Sequence, residues 1–180
     1  MKELSLHILD IVQNSISAGA KNIEINICEH NEKNLFHVEI IDDGKGMNEE
    51  TVKKAINPFY TTRTTRKVGL GISLFKMAAE TCDGSFLLES KEGEGTRVKA
   101  NFVRNHIDRA PLGKMEDTMV TLLMSNDKVD YLYTHEYENK TFKFETKEIK
   151  KILDGVPLSD YDVLMWIKNY IKEGIEEIYI

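Results

Sequence analysis

The sequence has no apolar run that approaches the roughly 20 residues a membrane-spanning helix needs. Its opening, MKELSLHILDIVQNS, places acidic and polar residues every few positions and lacks the basic start and unbroken apolar core of a signal peptide. It also lacks the composition of a disordered chain, a collagen or a repeat array, since 41% of its 180 residues are hydrophobic and 30% are charged. The sequence therefore predicts a cytoplasmic globular protein that does not bind membranes.

Cysteine is scarce, with only Cys28 and Cys82 present. They form no C-x-x-C pair, and the histidines are not clustered along the chain, so the sequence predicts no zinc site. We expect both thiols to be reduced and to pack as small apolar side chains.

Positive charge is in deficit, because 24 Lys and Arg stand against 30 Asp and Glu and give a net charge of −6. Most of the deficit lies in residues 105–180, which hold 10 basic and 15 acidic residues. Nucleic-acid binding needs clustered positive charge, so the sequence predicts no nucleic-acid partner.

Hydrophobic periodicity predicts an α+β arrangement in the first part of the chain. Apolar residues at helical spacing, together with capping and glycine signals, predict helices over 3–17, 48–56 and 69–84. Alternating apolar and polar residues predict strands over 21–28, 35–41, 86–90 and 97–103.

A polar stretch, NHIDRAPLGK, follows the last of these strands and indicates a boundary. We therefore divide the chain into a first domain, a linker and an acidic α+β extension, at 1–104, 105–116 and 117–180. The extension's pattern predicts strands over 118–124, 130–137 and 141–145, and helices over 147–154 and 160–173. Its apolar faces predict a compact module that recognises a partner, mediates self-association or supplements the sheet.

Two polar residues of the first helix are candidates for metal and proton chemistry. Asp10 and Asn14 are four residues apart and project from one helix face. A carboxylate beside an amide oxygen can hold a hydrated Mg²⁺ ion, and the carboxylate can accept a proton from an attacking water. The alternative is two solvated polar residues without a ligand.

The segment Asp42-Asp43-Gly44-Lys45-Gly46 directly follows a strand. Its glycines let the backbone turn sharply and approach a flat ligand. A carboxylate there can accept a hydrogen bond from an exocyclic amine such as that of adenine. The alternative is an ordinary acidic turn.

The segment Gly69-Leu70-Gly71 opens a helix, whose free N–H groups attract phosphate, after a loop that carries Arg63, Arg66 and Lys67. It matches neither the P-loop nor the dinucleotide-binding glycine pattern. A further turn, Gly93-Glu94-Gly95-Thr96, joins two strands. The alternatives are a glycine-rich helix start and a plain hairpin turn.

The order of these segments resembles the GHKL ATPase superfamily of gyrase, the large heat-shock chaperone, histidine kinases and MutL, over about residues 3–104. The resemblance implies the Bergerat fold, an α+β class in which a two-layer α/β sandwich packs helices on one face of a mixed sheet. It also implies ATP and Mg²⁺ as cofactors, with the nucleotide between the helices and a lid.

The resemblance also implies residue roles. Asn14 would bind Mg²⁺, Asp42 would take the adenine amine, and Asp10 and Arg63 would act in catalysis. Asp10 stands where MutL and gyrase carry a glutamate base and where many histidine kinases carry asparagine. The implied nucleotide-contacting residues are Asn14, Asp42, Gly44, Gly46, Met47, Thr61, Thr62, Arg63, Lys67, Gly69, Leu70, Gly71 and Thr96.

Different branches of the superfamily are represented in different motifs. PFYTTR at 58–63 and GLGISL at 69–74 resemble histidine kinases, whereas NSISAGA at 14–20 resembles MutL with Ser17 in place of its aspartate. Lys67 occupies the position of the first glycine of the kinase lid. No phospho-acceptor motif surrounds His7, for which we expect a capping or packing role.

The sequence thus predicts a stand-alone, Mg²⁺-dependent ATP-binding protein with a kinase-like site, which phosphorylates a separate protein in trans or hydrolyses ATP slowly in signal transduction. The alternative is a non-catalytic module that senses ATP or ADP and controls a partner. A MutL-like ATPase is disfavoured by the acidic charge and by the few residues left for a transducer domain. A homodimer is compatible with either interpretation.

Overall fold

A computed structural model describes residues 2–57, 59 and 70–180 of the protein. The described residues form six helices: α1 (Leu4–Ser17), α2 (Glu49–Ile56), α3 (Leu70–Thr81), α4 (Met115–Ser125), α5 (Thr146–Leu153) and α6 (Tyr161–Ile178). They also form six strands: β1 (Asn22–His30), β2 (Leu35–Asp42), β3 (Ser85–Lys91), β4 (Gly95–Val103), β5 (Asp130–Tyr137) and β6 (Lys140–Glu145). In this part of the chain, no helix is long and apolar enough to span a bilayer.

The strands form one mixed sheet in the order β3-β4-β2-β1-β5-β6. All neighbours pair antiparallel except β1 and β5, which pair in parallel from Asn22–Asp130 to Glu29–Tyr137. The strands on the two sides of the predicted linker therefore belong to the same sheet. This arrangement agrees with the expectation that the extension supplements the sheet.

The sheet has one covered face and one open face. Alternate residues of its strands are buried beneath the helices, among them Ile25 of β1, Val38 of β2 and Tyr133 of β5. The intervening residues, such as Glu24, Asn26, His37 and Lys99, lie on the other face and are partly exposed. The predicted α+β class with a two-layer sandwich is confirmed.

Helix α1 lies at the centre of the covered face. Its buried apolar residues, Leu4, Ile8, Ile11 and Val12, recur at helical spacing, and each side chain contributes about 1.5–3 kcal/mol when fully buried. The predicted linker caps this helix, because the carbonyls of Pro111 and Leu112 accept hydrogen bonds from the N–H groups of Leu4 (2.9 Å) and Ser5 (2.8 Å). These N–H groups have no partner within the helix.

The predicted strand over 118–124 was wrong, because this segment belongs to helix α4. The buried apolar residues Met115, Met119, Leu122 and Leu123 follow the helical period rather than an alternation. Within the short run MVTLLM, helical spacing and strand alternation are difficult to separate. Met115, which lies outside this run, extends the helical spacing and so distinguishes a helix from a strand.

A buried polar network joins the C-terminal helix to the sheet. Glu29, which is 4% exposed, accepts hydrogen bonds from Tyr179 (2.5 Å) and pairs with His135 (3.2 Å) and Arg104 (3.4 Å). Burial opposes the charged carboxylate, but the hydrogen bonds from His135 and Tyr179 outweigh it and lower the pKa of Glu29. The network therefore holds a carboxylate in the interior and fixes α6 on β1 and β5.

Candidate functional site

Asp42 is the last residue of β2, where strand alternation places its side chain on the covered face. Asp42 is 8% exposed, and its carboxylate accepts hydrogen bonds from the Ser15 hydroxyl (2.6 Å) and the Gly44 N–H (2.9 Å). A carboxylate has about four acceptor positions, so two bonds leave capacity for a further donor. Asp42 therefore presents a buried and oriented carboxylate, and its nucleotide-binding role stays a prediction.

The adjacent Asp43 has a structural role. Its exposed carboxylate accepts bonds from the N–H groups of Lys21 (2.7 Å) and Asn22 (2.9 Å) and from the Asn22 side chain (2.8 Å). Slight burial opposes the charge, but these hydrogen bonds lower the pKa of Asp43 below its ordinary value. Asp43 therefore fixes the turn, and Asp42 remains directed inward.

Two of the predicted glycines are required by close backbone packing. Gly46 has φ 69° and Gly95 has φ 103°, both in the left-handed region. A Cβ at Gly46 would clash with the Lys91 carbonyl, and one at Gly95 would clash with the Asp42 carbonyl. The turn after β2 and the turn between β3 and β4 consequently lie backbone against backbone.

Thr96 lies beside Asp42, because the two residues are direct partners in the β2–β4 register. Its hydroxyl is 2.8 Å from the Ser90 hydroxyl, which accepts from the Met47 N–H (2.8 Å) and donates to the Gly95 carbonyl (3.0 Å). Ser90 thus connects three residues of this end of the site. Ser90 could not be singled out from the sequence, because a serine in a strand carries no distinguishing signal.

Ser15 was missed as well, although it lies in the stretch that resembles MutL. It is 3% exposed, and its hydroxyl donates the shorter of the two hydrogen bonds that the Asp42 carboxylate accepts. Its burial and its contact with Asp42 both depend on the fold, so the sequence carries no signal of either.

The other end of the site is where α1 meets α3. Gly71 is buried in the first turn of α3, and a Cβ there would lie 3.4 Å from the Asp10 Cβ and 3.9 Å from the Asn14 Nδ2. The start of α3 therefore lies against the polar face of α1. The structure brings together the predicted metal ligand, the predicted base and the helix start predicted to bind phosphate.

Several predicted residues lie outside the part of the chain that the structure describes: Thr61, Thr62, Arg63, Lys67 and Gly69. Their roles stay predictions. Leu70, the first residue of α3, is described and partly exposed, with 39% of its surface accessible.

His7 packs in the interior rather than at the site. It is 4% exposed and stacks on Phe75 of α3, with ring centroids 5.3 Å apart. Its Nδ1 has no hydrogen-bond partner among the described residues, and burial lowers the pKa of His7 to about 4. The imidazole is therefore neutral near pH 7 and serves as a packing group.

The residues fit an adenine nucleotide with a metal ion. At one end, the buried Asp42 carboxylate accepts two hydrogen bonds from the described residues, which leaves capacity for a further donor beside two glycine-containing turns that approach each other closely. At the other end, the Asn14 amide and the Asp10 carboxylate face the start of α3. A Cβ at Gly71 would narrow the space between α1 and α3 there. These are the donor and acceptor types that adenine, Mg²⁺ and phosphate require.

More than half of the chain matches one protein family. The family described as "Histidine kinase-, DNA gyrase B-, and HSP90-like ATPase" matches residues 2–110. The chain belongs to this family. Its α+β sheet is that of a GHKL-type ATPase domain.

Individual relatives come from more than one branch. The chain is 28% identical over 97 residues to the sensor histidine kinase YvrG of Bacillus subtilis (strain 168), covering 52% of this chain and 17% of that protein. It is 26% identical over 176 residues to the DNA mismatch repair protein MutL of Clostridium botulinum (strain ATCC 19397 / Type A), covering 93% of this chain and 25% of that protein.

Among solved structures, the chain is similar to the Aquifex aeolicus MutL ATPase domain complexed with ADP. The TM-score is 0.48 and the identity is 15%, over 86% of this chain and 70% of that chain. The chain thus spans a quarter or less of the length of the two sequence relatives above.

Proposed function

We propose that the protein binds ATP with Mg²⁺ and transfers its terminal phosphoryl group to a separate protein, or hydrolyses ATP slowly in a regulatory role. One observation carries the proposal. The adjacent residues Asn14 and Ser15 connect the two ends of the site, since Asn14 lies against Gly71 and Ser15 holds Asp42. Helix α1 therefore fixes the distance between the base end and the phosphate end.

At the base end, the free acceptor position of Asp42 selects an amine. Adenine offers an exocyclic amine where guanine offers a carbonyl oxygen, which a carboxylate repels. Burial strengthens this discrimination, because an unpaired polar group in the interior costs about 1–3 kcal/mol. Ser15 and Gly44 orient the carboxylate before the ligand arrives.

At the phosphate end, the amide oxygen of Asn14 is the proposed Mg²⁺ ligand, and the ion would offset the negative charge of the phosphates. The free N–H groups at the start of α3 would hold phosphate oxygens. Asp10, one helical turn before Asn14, would accept the proton of an attacking water. Catalysis would rest on positioning and charge neutralisation, as in phosphoryl transfer generally.

The second candidate is a module that senses ATP or ADP without turnover. It is favoured by the identity of residue 10, since aspartate reaches about one methylene less far than the glutamate base of hydrolysing relatives. In that case nucleotide occupancy would control a protein partner. A MutL-like ATPase activity is a third candidate, suggested by a relative whose similarity extends over 93% of this chain.

The decisive experiment incubates the purified protein with terminally labelled ATP and Mg²⁺, with and without a cell lysate. Labelled protein in the lysate supports a kinase, and released phosphate without lysate supports an ATPase. Binding of ATP with neither product supports the sensor. An unchanged affinity in Asp42→Asn would overturn the proposed nucleotide site altogether.

A further inference from the structure

The open face of the sheet gathers a thiol, an imidazole and a carboxylate at one point. Cys28 and His30 are two residues apart on β1 and therefore share a face. Glu136 lies directly opposite Cys28 in the parallel β1–β5 register. We refer to Cys28, His30 and Glu136 as the open-face cluster.

The ligand atoms of the open-face cluster lie within 4.8 Å of one another. The Cys28 Sγ is 3.2 Å from the His30 Nε2. Two ligands on one tetrahedral zinc, with Zn–S about 2.3 Å and Zn–N about 2.0–2.1 Å, stand about 3.5 Å apart. The observed separation is within a few tenths of an ångström of that value, so a single ion fits between them with small side-chain movements.

The backbone that carries the cluster is fixed. Strand β1 is paired on both sides, to β2 and to β5, so the Cα atoms of Cys28 and Glu136 are held by ladder hydrogen bonds. All three side chains are partly buried.

We propose that Cys28, His30 and Glu136 bind one Zn²⁺ ion, or another borderline divalent ion such as Co²⁺, and so connect β1 to β5. Sulfur, imidazole nitrogen and carboxylate oxygen are the ligand types that zinc prefers, and three protein ligands leave a fourth position for water. The sequence predicted no zinc site and a packing role for Cys28; the contact of its sulfur with His30 on the open face favours a metal-binding role instead.

The proposed site is separate from the nucleotide site. Asp42 lies on the covered face at one end of β2, whereas Cys28 is on the opposite face and pairs with His37 further along that strand. The ion would connect β1 to β5 next to the Glu29 network. Glu29 is the neighbour of Cys28 on β1, and His135 is the neighbour of Glu136 on β5. A metal bound only by the folded state would therefore stabilise the attachment of β5 and α6.

The test titrates tag-free, metal-free, reduced protein with Co²⁺ and records its absorption spectrum. The expected result is one equivalent of Co²⁺ with a thiolate-to-metal charge-transfer band and intense visible bands of a four-coordinate ion. Zn²⁺ should displace the Co²⁺, and excess Mg²⁺ should not, because Mg²⁺ requires oxygen ligands. Bound Zn²⁺ should also raise the urea midpoint of unfolding.

The variants identify the ligands. Cys28→Ala should abolish the charge-transfer band, and His30→Ala and the nearly isosteric Glu136→Gln should each weaken Co²⁺ binding at least tenfold. Cys82→Ala is the matched control, because it removes the other thiol and should keep the band. Circular dichroism checks that each variant folds. Absence of the band in the parent protein, its persistence in Cys28→Ala, or unchanged affinity in a folded Glu136→Gln would overturn the proposal.

Discussion

The Ser15 hydroxyl on α1 donates a 2.6 Å hydrogen bond to the Asp42 carboxylate at the end of β2. Both residues are almost completely buried, at 3% and 8% exposure. A hydrogen bond to a charged group in the interior is stronger than one at the surface. The orientation of the Asp42 carboxylate is therefore fixed by the same helix that carries Asp10 and Asn14.

Replacing Ser15 should weaken nucleotide binding without direct contact to the nucleotide. In Ser15→Ala the carboxylate loses one of its two hydrogen bonds and is less well oriented. We expect the free energy of ATP binding, measured by calorimetry, to weaken by about 0.5–1.5 kcal/mol, which is roughly a twofold to thirteenfold loss of affinity. Ser17→Ala is the control, since Ser17 is an exposed residue of the same helix. Equal affinities in the two variants would remove Ser15 from the site.

Replacing Asp42 should affect selectivity as well as affinity. Asp42→Asn keeps the shape of the side chain but loses its charge, and should reduce ATP affinity by about 1–3 kcal/mol. It should also narrow the preference for ATP over GTP, because an amide can donate to the guanine carbonyl. Asp43→Asn is the control, since Asp43 holds the turn through Lys21 and Asn22 and should mainly affect stability. A parent protein that binds ATP and GTP equally by calorimetry would contradict the role of Asp42.

Replacing Asn14 should affect mainly Mg²⁺-dependent ATP binding, whereas replacing Asp10 should affect mainly ATP hydrolysis. Asn14→Ala removes the proposed metal ligand and should reduce the Mg²⁺-dependent part of ATP affinity more than the metal-free part. Asp10→Asn should abolish phosphate release and spare binding, because the amide keeps the shape and loses the base. Titrations with Mg²⁺ and with a chelator, together with a phosphate-release assay, measure both effects. Hydrolysis at the parent rate in Asp10→Asn would favour the sensor over the enzyme.

The first part of the chain was largely predictable because its signals are local. At the start of the predicted helix 48–56, Asn48 caps α2 by accepting a hydrogen bond from the Thr51 N–H, and the alternation over β1 and β2 matches their burial. The glycines of the two turns have the positive φ angles that glycine favours. In each case, adjacent residues determine the conformation.

The remaining features depend on pairings between distant parts of the sequence. The parallel contact of β1 with β5 brings Glu136 beside Cys28, and no spacing along the chain indicates it. Ser15 supports Asp42, and Ser90 supports Thr96. Neither serine stands out in the sequence, because only the fold brings each one beside its partner. Helix α4 was predicted as a strand because a short apolar run satisfies both periodicities.

Tyr179 should contribute to the stability of the whole sheet. Its hydroxyl bonds to Glu29 (2.5 Å) and lies 3.2 Å from His135, so Tyr179→Phe leaves a buried carboxylate with one partner fewer. We expect a loss of about 1–3 kcal/mol in the free energy of unfolding in urea. Tyr161→Phe is the matched control, because Tyr161 is 72% exposed and should have little effect. Similar unfolding curves for the two variants would show that the network contributes little.

His7 should make the protein sensitive to mild acid. Burial lowers the pKa of His7 from 6.5 to about 4, so above pH 6.5 both the folded and the unfolded states hold a neutral imidazole. Below that pH the unfolded state binds a proton that the folded state excludes. Stability therefore falls by up to about 1.4 kcal/mol per pH unit until the folded pKa is reached.

Urea unfolding at pH 7 and pH 5 measures this effect. The parent protein should lose about 1–2 kcal/mol more stability between the two pH values than His7→Gln, which has no ionisable group. The pKa values of Glu29 and Asp43 are lowered, so the stability that these carboxylates contribute is lost only as the pH falls through the carboxylate range. Both residues are present in both proteins, so their effect cancels in the comparison. His106→Gln is the control, because the His106 imidazole pairs with the exposed Asp83 at the surface. This variant should still lose the stability between pH 7 and pH 5 that His7 causes. If the parent and His7→Gln lose equal stability, His7 is protonated in the folded state at no cost, and the imidazole is not the neutral packing group that its burial against Phe75 indicates.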